Sequence, residues 1–386
     1  KEAGVDIDPL EICNDLVHYS LNNSNVLTYR HTWGKHAFDA LLGHEIYQQR
    51  GTFLNVQSYY LPLQITPDRA FDNINQRDPN APATQQPAPT SGVTSDYRLL
   101  SGFTRLNYSF ADKYLFTFTL RGDGSSKFAP GNQWGYFPAG SVAWRVSQEE
   151  FMKPFADVIS DLKIRLSYGL AGNNRIGDFL YDPLFTTGGN VQAPFNHVIT
   201  PGSAALTLAN PNLTWETTVS RNLGFDWALF NNRLQVTADV YSNKTRDLLL
   251  NLAIPSTSGY TTQLVNVGST SNRGVELQLS GTVVRNSDFN WTSTMNYAMN
   301  RGRVESLGGG ITELPLQYSG WASTAIAADY FVGVGQPVGL MYGYQLDGDG
   351  WYTPDDFTGY SGGRWQLKPG VASDKGVVGL GTSEVG

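Results

Sequence analysis

The residues best typed for chemistry are the aspartates of the run Asp347-Gly348-Asp349-Gly350, with Asp355 and Asp356 close behind. Carboxylates spaced by glycine can wrap a calcium ion, which wants six or more oxygen ligands. Trp351 stands where a calcium loop needs an acid or amide, so the pattern is incomplete. A Gly-rich turn is the expected structure, and Asp347 and Asp349 are calcium candidates only. Arg121-Gly122-Asp123 spells an adhesion tripeptide, but it falls where a strand meets a loop and glycine serves the turn. Gly333, Gly335 and Gly339 miss the dinucleotide-binding spacing and lack a strand–helix–strand setting. His18, His31, His36, His44 and His197 show no compact ligand spacing. There is no Gly-x-Ser-x-Gly nucleophile turn. No catalytic constellation emerges, so neither enzymatic activity nor a cofactor is expected.

Charged residues make up 16% of the chain, aromatics 12%, and glycine contributes 41 residues. Sparse charge with many rings and turns suits a β protein and excludes a disordered chain, which would be charge-rich and aromatic-poor. A net charge of −7 argues against a nucleic-acid partner, because phosphate recognition needs a basic excess. The single cysteine, Cys13, allows no internal disulfide and reads as a small packed residue. No apolar run reaches the roughly 18 residues of a membrane helix. That leaves a membrane-crossing barrel open, since a barrel strand needs only about 10 residues with alternate ones facing lipid.

Period-two alternation is the dominant pattern. Tyr114, Phe116, Phe118 and Leu120 alternate with Leu115, Thr117, Thr119 and Arg121. Leu162, Ile164, Leu166, Tyr168 and Leu170 alternate with Lys163, Arg165, Ser167 and Gly169. Similar strands are expected over 222–229, 234–241 and 275–283, where the phase at Val283 depends on whether a bulge intervenes. Weaker alternation marks 25–33, 36–47, 98–110, 135–146 and 291–300. Connections alternate in length: short near 34–35, 111–112, 147–160, 231–232 and 286–287, long near 48–97, 122–134, 171–213, 247–271 and 302–338. The segment 67–90, with Pro79, Pro82, Pro87 and Pro89, is expected to be extended loop.

Short turns at one end and long loops at the other are the habit of outer-membrane barrels. The whole of 1–386 is therefore read as one antiparallel transmembrane β-barrel portion of about ten strands, all-β in class. Phe116, Phe118, Ile164, Leu166, Leu234, Val236, Leu277 and Leu279 are expected to face lipid. Arg105, Arg121, Lys163, Arg165, Asp226, Asp239 and Glu276 are expected to face the lumen, since Arg or Lys facing lipid at the midplane costs about 2–4 kcal/mol. Trp134, Tyr136 and Trp215 are assigned to an outer aromatic girdle, and Tyr114, Phe230 and Trp291 to an inner one.

Several long segments occur in a familiar order: RGDGSSKFAPGNQWGYFPAGSVAWRVSQEEFM at 121–152, DLKIRLSYGLAGNNRIG at 161–177, LANPNLTWETT at 208–218, LFNNRLQVTADVYSNKTRDLLL at 229–250, NVGSTSNRGVEL at 266–277 and QPVGLMYGYQLDGDGWY at 336–352. Together they resemble the SusC-like TonB-dependent outer-membrane transporters, over about residues 25–352. The resemblance implies a 22-stranded barrel with a plugged lumen, energised by the TonB complex through an N-terminal region absent here, and a SusD-like surface lipoprotein as lid. It implies import of oligosaccharides or peptides across the outer membrane of a Bacteroidota-type, Gram-negative cell. A siderophore or cobalamin receptor, or a structural subunit of a larger outer-membrane assembly, are the alternatives. Plug and final strands are not recognisable, so the chain is read as an interior piece.

In such a barrel the long loops would meet substrate. Pyranose faces stack on aromatic rings, which makes Tyr59, Tyr60, Tyr260, Tyr318, Trp321 and Tyr330 the candidate ligand residues. About ten strands cannot close in a 22-strand geometry. The strands near 25–33 and 291–300 are therefore expected to pair with protein outside the chain.

Overall fold

The computed structural model describes residues 11–58, 69, 90–195, 198–314, 330–341, 354–361 and 364–371. The main strands are β1 (Glu11–Trp33), β2 (His36–Ser58), β3 (Thr90–Phe110), β4 (Tyr114–Ser125), β5 (Trp134–Arg145) and β6 (Ile159–Asn173). After the hairpin β7 (Phe185–Phe195) and β8 (Val198–Ala205) come β9 (Glu216–Leu229) and β10 (Leu234–Arg246). A second hairpin, β11 (Leu249–Ala253) with β12 (Thr262–Asn266), precedes β13 (Ser269–Arg285) and β14 (Asn290–Ser306). The main sheet has ten strands in the order β1-β2-β3-β4-β5-β6-β9-β10-β13-β14. Every main-sheet neighbour in this order is also the next main-sheet strand along the chain, and no ladder joins β1 to β14 among the described residues.

Tight turns hold the register. Ala111 and Asp112 take φ of 53° and 56°, the doubly left-handed turn that matches strand twist. Phe230, Asn231 and Asn232 are also left-handed between β9 and β10. Between β13 and β14 the Asn286 Oδ1 accepts from the backbone N–H of Asp288 and Phe289. From β5 to β6 the chain runs through 3₁₀ turns at Val146–Gln148 and Glu150–Phe155.

Several sequence boundaries shift. β1 and β2 are each 23 residues long, far beyond the segments 25–33 and 36–47 that alternate cleanly. A crossing needs only about 10 residues; beyond it a strand needs no apolar face, so the alternation signal fades while the ladder continues. The loop placed at 48–97 shrinks accordingly, and most of 67–90 lies outside the described residues. The loops at 171–213 and 247–271 contain the two hairpins. The register shifts between Thr282 and Val284, which is the bulge on which Val283 depended.

The chain divides into two compact units: 1–141, 172–215 and 249–265 in the first, and 142–171, 216–248 and 266–386 in the second. Among the described residues neither contains a sandwich core. The buried apolar side chains among the described residues are Phe128, Ala129, Phe137 and Leu213 in the first unit and Val146, Val219, Val304 and Leu307 in the second. The apolar strand faces lie open instead: Phe116 and Phe118 are 45% exposed and Leu166 55%. Ile164, Leu234, Val236, Leu277 and Leu279 are half-buried. In the second unit, register puts Val236 opposite Trp227 and Leu279, and Ala238 opposite Phe225 and Leu277. Asp239 faces Glu276 on the other side. One face is apolar and open, as lipid requires, and the other is polar.

Candidate functional site

In the second unit, β6, β9 and β10 bring charged side chains together on the polar face. Lys163 Nζ lies 2.8 Å from Asp226 Oδ2. Arg165 donates Nε to Asp226 Oδ2 at 2.9 Å and Nη2 to Asp226 Oδ1 at 3.0 Å and to Asp239 Oδ2 at 3.1 Å. Asn222 Nδ2 donates to Asp239 Oδ1 at 2.7 Å. Two cations thus meet two carboxylates, and a forked guanidinium fixes the geometry. Gly224 lies beneath them: a Cβ there would sit 2.5 Å from Asp239 Oδ1 and 2.6 Å from Arg165 Cζ. Glu276 shares the face and is exposed.

A second cluster occupies the polar face of the first unit. Arg121 Nε donates to both oxygens of Asp123, at 2.8 and 2.9 Å, and Nη2 donates to Ser101 Oγ at 2.8 Å. Glu45 Oε2 stands 3.5 Å from Nη2, and the guanidinium carbon lies 5.4 Å from the Phe103 ring centre. Asp123 is only 6% exposed, so the adhesion tripeptide is folded into an internal ion pair and cannot be presented to a receptor. Arg105 is exposed on the same face.

Just beyond, the loops of the first unit are tied down. Lys127 Nζ donates to Ile176 O at 2.7 Å and lies 3.8 Å from Asp178. Asn174 Nδ2 donates to Tyr97 Oη and to Ser125 Oγ, both at 3.1 Å. Trp215 Nε1 donates to Gln133 O, and its ring packs edge-on to Phe137 at 5.4 Å and against Phe128 at 5.5 Å. Phe128 and Leu213 are fully buried here. Gly172 makes room: a Cβ would come within 2.0 Å of the Phe137 ring. Trp215 therefore belongs to a loop core rather than to a lipid-facing girdle. Trp134 and Tyr136 do lie on the open face, stacked over Gly124 and Gly122. Outside the strands, burial and then the neighbouring Asp182 push the Tyr181 phenol up, keeping it neutral.

Of the loop aromatics, Tyr260 is half-buried and its N–H donates to Ser258 Oγ. Tyr330 is half-buried in a short ladder opposite Met341. Tyr59, Tyr60, Tyr318 and Trp321 lie outside the described residues, as do Asp347 and Asp349. Asp355 and Asp356 fall in a 3₁₀ turn. No cluster of three or more potential metal ligands occurs among the described residues. One concavity of the second unit, about 1670 Å³, takes in Arg301 and Arg303 from one face of β14 and Asn300 from the other. It is not a one-sided ligand site. Sequence reading left Asp123 out of the polar-face set, naming it only in the tripeptide, and passed over Glu45, Lys127 and Asp178. For Asp123 the signal was present, since it stands two residues from Arg121 and period two puts both on one face.

The family model described as "TonB dependent receptor-like, beta-barrel" matches residues 12–375. A TonB-dependent receptor P3 of Formosa agariphila is 33% identical over 332 residues, covering 84% of this chain and 31% of that protein. The TonB-dependent receptor SusC of Bacteroides thetaiotaomicron is 33% identical over 295 residues, covering 76% and 28%. The solved RagAB peptide importer in its closed-closed state superposes with a TM-score of 0.71 at 27% identity, over 85% of this chain and 33% of that one. The chain thus spans about a third of these proteins' length.

Proposed function

This chain belongs to the TonB-dependent receptor-like β-barrel family of the outer membrane, and we propose that it forms part of the wall of an importer for oligosaccharides or peptides. In this reading it works with a SusD-like surface lipoprotein and is driven by the TonB complex through a region outside the chain. The observation that carries it is the division of charge between faces. Arg121, Lys163, Arg165, Asp226 and Asp239 turn to the polar side, while Phe116, Phe118 and Leu166 stand open on the other. A wall with lipid on one side and an aqueous, plug-filled lumen on the other needs that division. The relatives give the reading its direction: one is named SusC and one neighbour is a peptide importer. β1 and β14 end the strand order, and unpaired strand edges in lipid cost several kcal/mol per group. Both are therefore assigned to pairing with the rest of the same transporter.

The test uses the full-length protein, tagged and purified from its outer membrane. Co-purification of a SusD-like lipoprotein is expected, together with lost growth on one oligosaccharide or peptide source when the gene is deleted. Purification without such a partner and unchanged growth on every such source would overturn the proposal.

A further inference from the structure

Above the apolar band of the second unit, the lipid-side face changes character. Register places Leu223, Val240, Val275 and Met299 in one row across β9, β10, β13 and β14. The next row on the same face, towards the long loops, is Arg221, Ser242, Arg273 and Arg301. The row after it is Val219, Lys244, Ser271 and Arg303, and Arg246 stands beyond Lys244. All six cations are exposed, and none forms an ion pair with a described residue. Among the described residues, the acids on this side are Glu305, which accepts from Ser271 Oγ at 2.5 Å, and Asp247 in the following turn. Two carboxylates do not balance six cations.

Height fixes what these cations meet. Trp291 and Arg301 lie on the same face of β14, ten residues apart. At about 3.4 Å per residue that is roughly 34 Å along the strand. Tilted by about 40°, it is roughly 26 Å across the membrane, the height of a barrel's apolar band. Trp291 therefore marks the inner interface and the arginine row the outer one. A built concavity of about 370 Å³ sits there, lined by Tyr168, Val219, Arg221, Lys244, Arg246 and Asp247 among others. Arg221 Cζ lies 5.8 Å from the Tyr168 ring centre, which holds the guanidinium at the interface by a cation–π contact.

We propose that this concavity binds the phosphorylated headgroup of an outer-leaflet glycolipid, with Arg221, Lys244 and Arg246 on the phosphate and acyl chains along Leu223 and Val240. The partner follows from charge, position and the adjoining apolar rows. An aqueous anion would have no use for the apolar rows, and a neutral lipid none for the cations. The proposal rests on the outer-membrane setting but not on the import reading, so it survives failure of that reading.

The test is native mass spectrometry of the full-length protein released from detergent, with diphosphorylated lipid A, dephosphorylated lipid A and phosphatidylethanolamine as separate probes. Diphosphorylated lipid A should be retained at least tenfold better than either other lipid. The triple variant Arg221→Gln, Lys244→Gln, Arg246→Gln should lose about 100-fold, at roughly fivefold per cation, with its gel mobility as a folded barrel unchanged. Inorganic phosphate at equal concentration should not displace the lipid. Equal retention of phosphorylated and dephosphorylated lipid A, an unaffected folded triple variant, or displacement by inorganic phosphate would each overturn the proposal. The lipid comparison on the unaltered protein decides the matter even if the variant fails to fold.

Discussion

Opposite faces of the sheet in the second unit carry two charge clusters that differ in one respect. On the polar face, Lys163 and Arg165 meet Asp226 and Asp239 at hydrogen-bonding distance. On the open face, Arg221, Lys244, Arg246, Arg273, Arg301 and Arg303 have no such partners among the described residues. The first cluster is neutralised within the chain, so its role is to hold β6, β9 and β10 in register. The second is the one for which an anion from outside is proposed. Charge count by itself does not separate structure from recognition; the cross-strand neighbour does.

The largest effect should come from unbalancing the neutral cluster. Asp226→Ala leaves two partly buried cations short of a carboxylate and should cost about 2 kcal/mol, below the 3–5 kcal/mol of a fully buried pair because the groups are about 30% exposed. Thermal unfolding of the full-length protein in detergent, followed by the loss of its heat-modifiable gel mobility, measures this; an unchanged transition would remove the structural role. Filling the space under the same pair is next. Gly224→Ala should cost about 1–2 kcal/mol by overpacking against Asp239 and Arg165, and combining it with Asp226→Ala should give less than the sum, because both disrupt one contact.

The comparison sharpens if the first unit's balanced cluster behaves likewise. Arg121→Gln strips the bidentate contact from buried Asp123 and should destabilise by about 1–2 kcal/mol. Protease nicking of the nearby loop at 126–133 should rise with it. The smallest effect belongs to the unbalanced cluster. Arg221→Gln should change stability in lipid-free detergent by under about 0.5 kcal/mol, since no described carboxylate loses a partner. A large loss there would mean that the open-face cations are structural after all.

Much of the strand framework was legible beforehand. Phe116/Phe118, Leu234/Val236 and Leu277/Leu279 alternate because one face meets lipid and the other does not, and register then assigns Asp239 and Glu276 to the polar side. Where lipid contact ends, that signal ends too, which is why the outer part of β2 read as loop from residue 48 on and β1 was marked only over 25–33. The hairpins β7–β8 and β11–β12 were invisible for the same reason: short ladders outside a core or bilayer carry no enforced periodicity. Trp215 misled because an aromatic at a strand end has the same type in a girdle as in a loop core.

The residue string by itself determined the alternating faces, the tight turns at 111–112 and 231–232 and the family, since each is written in local order. Only the tertiary structure decided which charges are satisfied. Arg165 finds Asp226 and Asp239, 61 and 74 residues away, and Arg121 finds Glu45 at a separation of 76. Arg221, Arg273 and Arg301 fall into one row only through the β9–β10–β13–β14 register. Coulomb and hydrogen-bond energies act over a few ångströms, and strand pairing makes distant positions neighbours on that scale.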